Sequence, residues 1–182
     1  MGKKKHAKIQ IMTLDQERFM AFEGLLDWTM AVCAQYERLA KMNNDRKNTK
    51  LDTMIDRSHF HDRMLRTEYH YFCIAANKLF EYRDWTISLG ICIDIDYSEI
   101  DSFSRKNIRD LRNMKEHIVE YFSGEGRDRA RWVLKTPGFN SDASAVNGAL
   151  IGGRLDWVAF GLAAKCLLPR LLSQPMPVAV GP

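Results

Sequence analysis

The stretch Tyr69-His70-Tyr71-Phe72-Cys73-Ile74-Ala75-Ala76, continued by Leu79, Phe80 and Tyr82, decides the fold. On a helix its apolar side chains fall on nearly all sides, as they do at the centre of a bundle rather than on its rim. Reading outward, the pattern predicts one helix over residues 57–85. Upstream, Thr13-Leu14-Asp15-Gln16 has the spacing of a capping box, in which the Thr hydroxyl and the Gln side chain satisfy the free amides of a helix start. Phe19, Phe22, Leu25, Leu26, Met30, Cys33 and Tyr36 then recur at helical spacing, so a first helix is expected over 13–42. Asn43-Asn44-Asp45 closes it, and residues 43–56 read as a polar connection.

Downstream, residues 86–97 form a break around Gly90. Ser98-Glu99-Ile100-Asp101 offers a second box-like start, and a third helix is expected over 98–123, stopped by Gly124 and Gly126. Its stripe of Ile100, Phe103, Leu111, Met114, Ile118, Tyr121 and Phe122 places Leu111, Met114 and Ile118 in the core and leaves Arg105, Arg109 and Lys115 exposed. Between 127 and 154 the pattern changes. Trp132-Val133-Leu134 reads as a strand, Thr136-Pro137-Gly138 as a turn, and Ala149-Leu150-Ile151 as a second apolar run closed by Gly152 and Gly153. A small β-hairpin is expected there. A fourth helix follows over 155–172, with Trp157, Phe160, Leu162, Cys166 and Leu167 as core candidates. The fold class is mainly α, a bundle of about four helices with a small β-hairpin inserted before the last.

A chain of 182 residues with 46% hydrophobic and 27% charged content suits one globular domain, assigned to residues 13–174. A basic leader, 1–12, precedes it, and a Pro-containing tail, 175–182, follows. The longest apolar stretch, Trp157 to Ala164, is too short to span a membrane. With no signal peptide evident, a cytoplasmic location and no membrane partner are expected. The net charge of +4 equals the contribution of Lys3, Lys4, Lys5 and Lys8, so the remainder is neutral. Nucleic-acid contact must therefore rest on the leader or on local clusters. Cys33, Cys73, Cys92 and Cys166 have apolar neighbours and read as buried thiols.

The densest chemistry is Arg112-Asn113-Met114-Lys115-Glu116-His117. On a helix Asn113 and His117 share one face, and Arg112 and Glu116 share the next. A long Arg side chain can still swing toward the imidazole. This pattern resembles the active-site motif of HEPN proteins, small helical bundles with an Arg, a polar residue and, a few places on, a His. The resemblance implies a metal-independent endoribonuclease, or a toxin-like RNA-interacting protein, that forms a homodimer bringing two motifs face to face. It implies His117 as the proton-transfer group at the ribose 2′-hydroxyl, Arg112 as stabiliser of the phosphorane, Asn113 as the accompanying polar residue, and no cofactor. The residues equally fit a salt-bridged helix, with Arg112 and Glu116 paired and His117 at the edge of the apolar stripe. The protein would then be a non-catalytic binding or scaffold protein with a protein partner.

Arg109, Lys115, Arg127, Arg129 and Arg131 are candidate nucleic-acid contacts, with Trp132 available for stacking. A charged edge strand explains the last three as well. A second Arg-to-His spacing runs from Arg63 to His70. His59-Phe60-His61-Asp62 invites a metal reading, but residues two apart on a helix point to opposite sides, so no metal ligand is assigned. Asp94 and Asp96 read as loop or capping acids. Gly148 to Arg154 lacks the Lys-Ser/Thr ending of a phosphate-binding loop, and its glycines read as turn residues.

Overall fold

In a computed structural model, residues 12–48, 54–123, 129–136 and 139–178 are described. The chain is mainly α: α1 (Leu14–Asn48), α2 (Met54–Ser88), α3 (Ser98–Asp101), α4 (Arg105–Glu116), α5 (Ile118–Ser123) and α6 (Trp157–Leu172). The leader up to residue 11 and residues 179–182 lie outside the described part. The capping box forms: Gln16 Oε1 accepts from Thr13 N at 3.0 Å, and Thr13 Oγ1 accepts from Gln16 N at 3.3 Å. Asn43-Asn44-Asp45 does not end α1, which continues to Asn48. Instead Asn43 Nδ2 donates to Leu39 O and to Tyr69 Oη, so a residue that favours helix ends is held inside the helix by a neighbour.

The two 35-residue helices, each about 50 Å long, lie antiparallel. Arg18 near the start of α1 reaches Leu89 O beyond the end of α2. Arg38 and Asn43 near the end of α1 meet Glu68 and Tyr69 in the middle of α2. α6 packs on this pair, and Phe160 makes ring contacts with Phe72, Phe80 and Phe103. Gly161 is needed there, because a Cβ would lie 2.4 Å from the Tyr36 ring. Asp156 caps α6, accepting from Val158 N and Ala159 N. Leu162 and Cys166, expected in the core, face outward, since the buried stripe of α6 runs through Phe160, Gly161, Ala163, Ala164 and Leu167. Cys73 alone of the four cysteines is fully buried.

The third expected helix is three pieces. Ser102 Oγ donates back to Glu99 O, and Ser104 Oγ accepts from Asn107 N as the cap of α4. Two serines flanking Phe103 thus offer the backbone local alternatives to a continuous helix. Ser98 is not the cap of α3; that position is Tyr97, while Asp96 Oδ1 accepts from Ser98 N. The second break falls at His117, with φ −105° and ψ 29°. Beyond it Tyr121 and Phe122 pack their rings on Trp132.

The expected hairpin is two small antiparallel sheets. β1 (Val133–Thr136) pairs with β2 (Phe139–Asp142). β3 (Val146–Asn147), β4 (Leu150–Ile151) and β5 (Leu155–Asp156) form the other in that order. The Ala149–Ile151 run therefore pairs locally and not with Val133-Leu134. Gly152 and Gly153 have φ of 55° and 67°, and a Cβ on Gly152 would meet Leu111 Cδ2 at 2.5 Å. These sheets close over α4, with Ala143, Ile151 and Leu155 joining Leu111 and Met114 in the core. Among the described residues no helix is long and apolar enough to cross a membrane.

Candidate functional site

α4 buries Ile108, Leu111 and Met114 against α2 and the small sheets. This orientation fixes the remaining positions. Arg112 Nε lies 2.7 Å from Glu116 Oε2, and Asn113 Oδ1 accepts from Arg112 Nη1 at 2.9 Å. The guanidinium thus runs along α4 rather than reaching toward the imidazole. His117 ends the helix with its side chain half exposed, and its Nδ1 lies 2.9 Å from Glu120 Oε1. A carboxylate on Nδ1 fixes ring orientation and tautomer. The structure therefore keeps Arg112 and Asn113 together and places His117 one turn on, in a separate pair.

The helix after His117 is not packed as expected. Ile118 is 40% exposed, Val119 76% and Phe122 69%. Ile118, expected in the core, lies outside it, just past the break at His117. Lys115, expected to be exposed, is partly buried, and burial lowers its pKa while the Asp142 carboxylate opposes the shift. Its neighbour Cys73 has its thiol pushed by burial to about 12 and is neutral.

Lys115 opens onto a cleft of about 550 Å³ between α2, α4 and the small sheets, lined also by Arg63, Arg66, Thr67, His70 and Ser144. The second Arg-to-His spacing thus lies in this cleft. His70 Nε2 is closed off from solvent with no hydrogen-bond partner among the described residues. Burial lowers the His70 pKa, the charges of Lys115 and Arg112 lower it further, and Glu116 opposes them. The two Arg–His matches are therefore neighbours across the α2–α4 contact.

Of the expected nucleic-acid contacts, Arg109 is exposed and Arg131 lies 3.8 Å from Asp110. Arg127 and the side chain of Arg129 lie outside the described residues. Trp132 is unsuited to stack a base. It ends a 3₁₀ turn, Arg129–Trp132, rather than opening a strand, and it is buried under Tyr121 and Phe122 with Nε1 donating to Asp142. The side chain of His59 is likewise outside the described part, and His61 Nε2 meets Met42 O at 2.9 Å. Asp96 accepts from Ser98 N, a capping role. Sequence reasoning passed over Arg66, Thr67 and Ser144. Residues 63, 66, 67 and 70 do carry a helical i, i+3, i+4, i+7 spacing that puts them on one face of α2.

Comparison with protein-family models, with curated protein sequences and with solved structures gave no match. The HEPN resemblance therefore stands on the residues of the motif.

Proposed function

We propose that the protein is a HEPN-like, RNA-interacting helical protein that cleaves RNA without a metal, with His117, Arg112 and Asn113 as its reacting groups. The observation that carries this is the surface position of His117, held by Glu120 and one turn from a guanidinium. Among the described residues Arg112 Nη2 and His117 Nε2 have no partner, which leaves donors and a base for substrate. His117 would take the proton of a ribose 2′-hydroxyl as that oxygen attacks phosphorus. The bond from phosphorus to the 5′-oxygen breaks, and that oxygen takes a proton from solvent. The products are a 2′,3′-cyclic phosphate and a 5′-hydroxyl. Arg112 would meet the charge gathering on the phosphorane oxygens. The exposed Val119 and Phe122 beside His117 supply an apolar surface that a second copy of the chain would cover, as a facing pair of motifs requires.

A non-catalytic binding protein is the second reading. It is favoured by the pairing of Arg112 with Glu116 and of His117 with Glu120, which occupies both side chains within one helix end. The two readings part in one assay. Purified protein and His117→Ala are incubated with mixed single-stranded RNAs, with and without EDTA. Cleavage by the wild type alone, insensitive to EDTA and ending in cyclic phosphate, supports the first reading. Equal cleavage by both proteins removes His117 from the chemistry, and no cleavage by either transfers the assignment to a binding protein.

A further inference from the structure

We propose that the cleft between α2 and α4 is a binding site for a phosphate monoester dianion, carried either by a small sugar phosphate or by the 5′ end of a nucleic-acid strand. The site shares Lys115 with the Arg112–His117 segment but does not depend on Arg112, Asn113 or His117 being catalytic.

α2 brings Arg63 and Arg66 to the cleft on one helical face, and α4 brings Lys115 from the opposite wall. Among the described residues none of these three cations has an ion-pair partner, in a protein where most other described cations near them are paired. The nearby acids are already engaged. Asp142 accepts from Ser144 N, Ser144 Oγ and Trp132 Nε1, and Glu116 is held by Arg112. The hydroxyls in the wall are committed too, since Thr67 Oγ1 donates to Arg63 O and Ser144 Oγ to Asp142. What the cleft has to offer a ligand is therefore positive charge and guanidinium forks, which suit phosphate geometry.

Three cations that line one cleft and have no ion pair among the described residues match a doubly charged monoester better than the single charge of a diester. Lys115 strengthens the argument. Burial disfavours its charged form, and an anion in the cleft would favour it. A volume of about 550 Å³ admits a phosphate together with a sugar-sized group, and Ile118 and Trp132 give the latter an apolar wall. Arg66 and Ser144 also border an adjoining cleft of about 360 Å³ lined by Asn43, Asp62 and Tyr69, which gives a longer ligand a polar path along α2.

The test is calorimetric titration of the full chain at fixed ionic strength with two matched pairs: ribose 5-phosphate against ribose, and a 5′-phosphorylated RNA trinucleotide against its 5′-hydroxyl form. Saturable binding of a phosphorylated member, at least about tenfold tighter than its unphosphorylated twin, is expected. Binding of ribose 5-phosphate identifies a small ligand, and binding of the trinucleotide alone identifies a strand end. The double variant Arg63→Gln/Arg66→Gln, at exposed positions and with its fold checked by thermal melting, should weaken it about tenfold or more. Lys115→Gln should do the same, with its fold checked by thermal melting. Lys41→Gln, an exposed cation of α1 outside the cleft, should leave binding unchanged. Equal affinity for both members of each pair, no binding of either, or an equal effect of Lys41→Gln would overturn the proposal.

Discussion

The end of α4 and the neighbouring face of α2 carry the same residue types, Arg and His, and dispose of charge in opposite ways. At the end of α4, Arg112 is met by Glu116 and His117 by Glu120, each within one helical turn. On α2, Arg63 and Arg66 face a cleft with Lys115 and have no ion pair among the described residues. A surface that satisfies its own charges holds its side chains in place. A surface that does not is set up to hold something else. The first arrangement suits positioned reacting groups, and the second suits recognition of an anion.

The wall between the two regions is the part most sensitive to change. Leu111 is fully buried behind it, whereas Ile118, on the same expected stripe, is 40% exposed. Leu111→Ala should cost roughly 2–5 kcal/mol, while Ile118→Ala should cost about 1 kcal/mol or less. Chemical denaturation of both variants decides it, and similar losses would erase the distinction between the core side of α4 and the exposed start of α5.

Gly152→Ala should rank next. Its φ of 55° is strained for a side chain, and the new Cβ would press on Leu111. A loss of about 1–3 kcal/mol is expected. A neutral effect would mean that the small sheets do not close against α4 as described.

Charge removal should then separate the two regions. Glu116→Ala breaks a partly exposed pair and should cost no more than about 1 kcal/mol. Arg63→Gln/Arg66→Gln should be neutral within about 0.5 kcal/mol, because neither arginine has an ion pair among the described residues. A marked loss of stability in the second variant would show that those arginines serve the fold.

The smallest effect concerns His70. Its pKa is lowered from 6.5 in the folded chain, chiefly by burial, with Lys115 and Arg112 adding to the shift and Glu116 opposing it. The unfolded chain therefore binds the proton more readily. The associated stability is present in full above 6.5 and is lost as pH falls through the lower folded value. Thermal melting from neutral to mildly acidic pH should show this decline, and His70→Gln should flatten it. An unchanged slope in that variant would remove His70 as its source.

Much of the bundle was legible in the sequence because its signals are local. The Thr13–Gln16 box and the all-round apolar run at 69–76 each report their own helix. The breaks at Phe103 and His117 were not. The first depends on which of several polar groups the Ser102 and Ser104 hydroxyls choose, and the second precedes a turn whose rings pack on Trp132 from a distant segment. For the same reason Trp132 reads as an available stacking ring until the fold covers it. The cleft was half legible. The face made by Arg63, Arg66, Thr67 and His70 follows from spacing, but Lys115 and Ser144 join it only when α4 and the small sheets pack on α2.

On the proposed ribonuclease reading, and with a strand end as the ligand of the cleft, holding an RNA and cutting it belong to different places on this molecule. The direct measurement follows binding by fluorescence anisotropy and cleavage by product analysis, on one 5′-phosphorylated RNA. The proteins compared are the wild type, Arg63→Gln/Arg66→Gln and His117→Ala. Binding should fall about tenfold or more in the cleft variant and stay near the wild-type value in His117→Ala, while cleavage is lost in His117→Ala at saturating protein. Unchanged binding in the cleft variant, or equal loss of binding in both variants, would contradict the account.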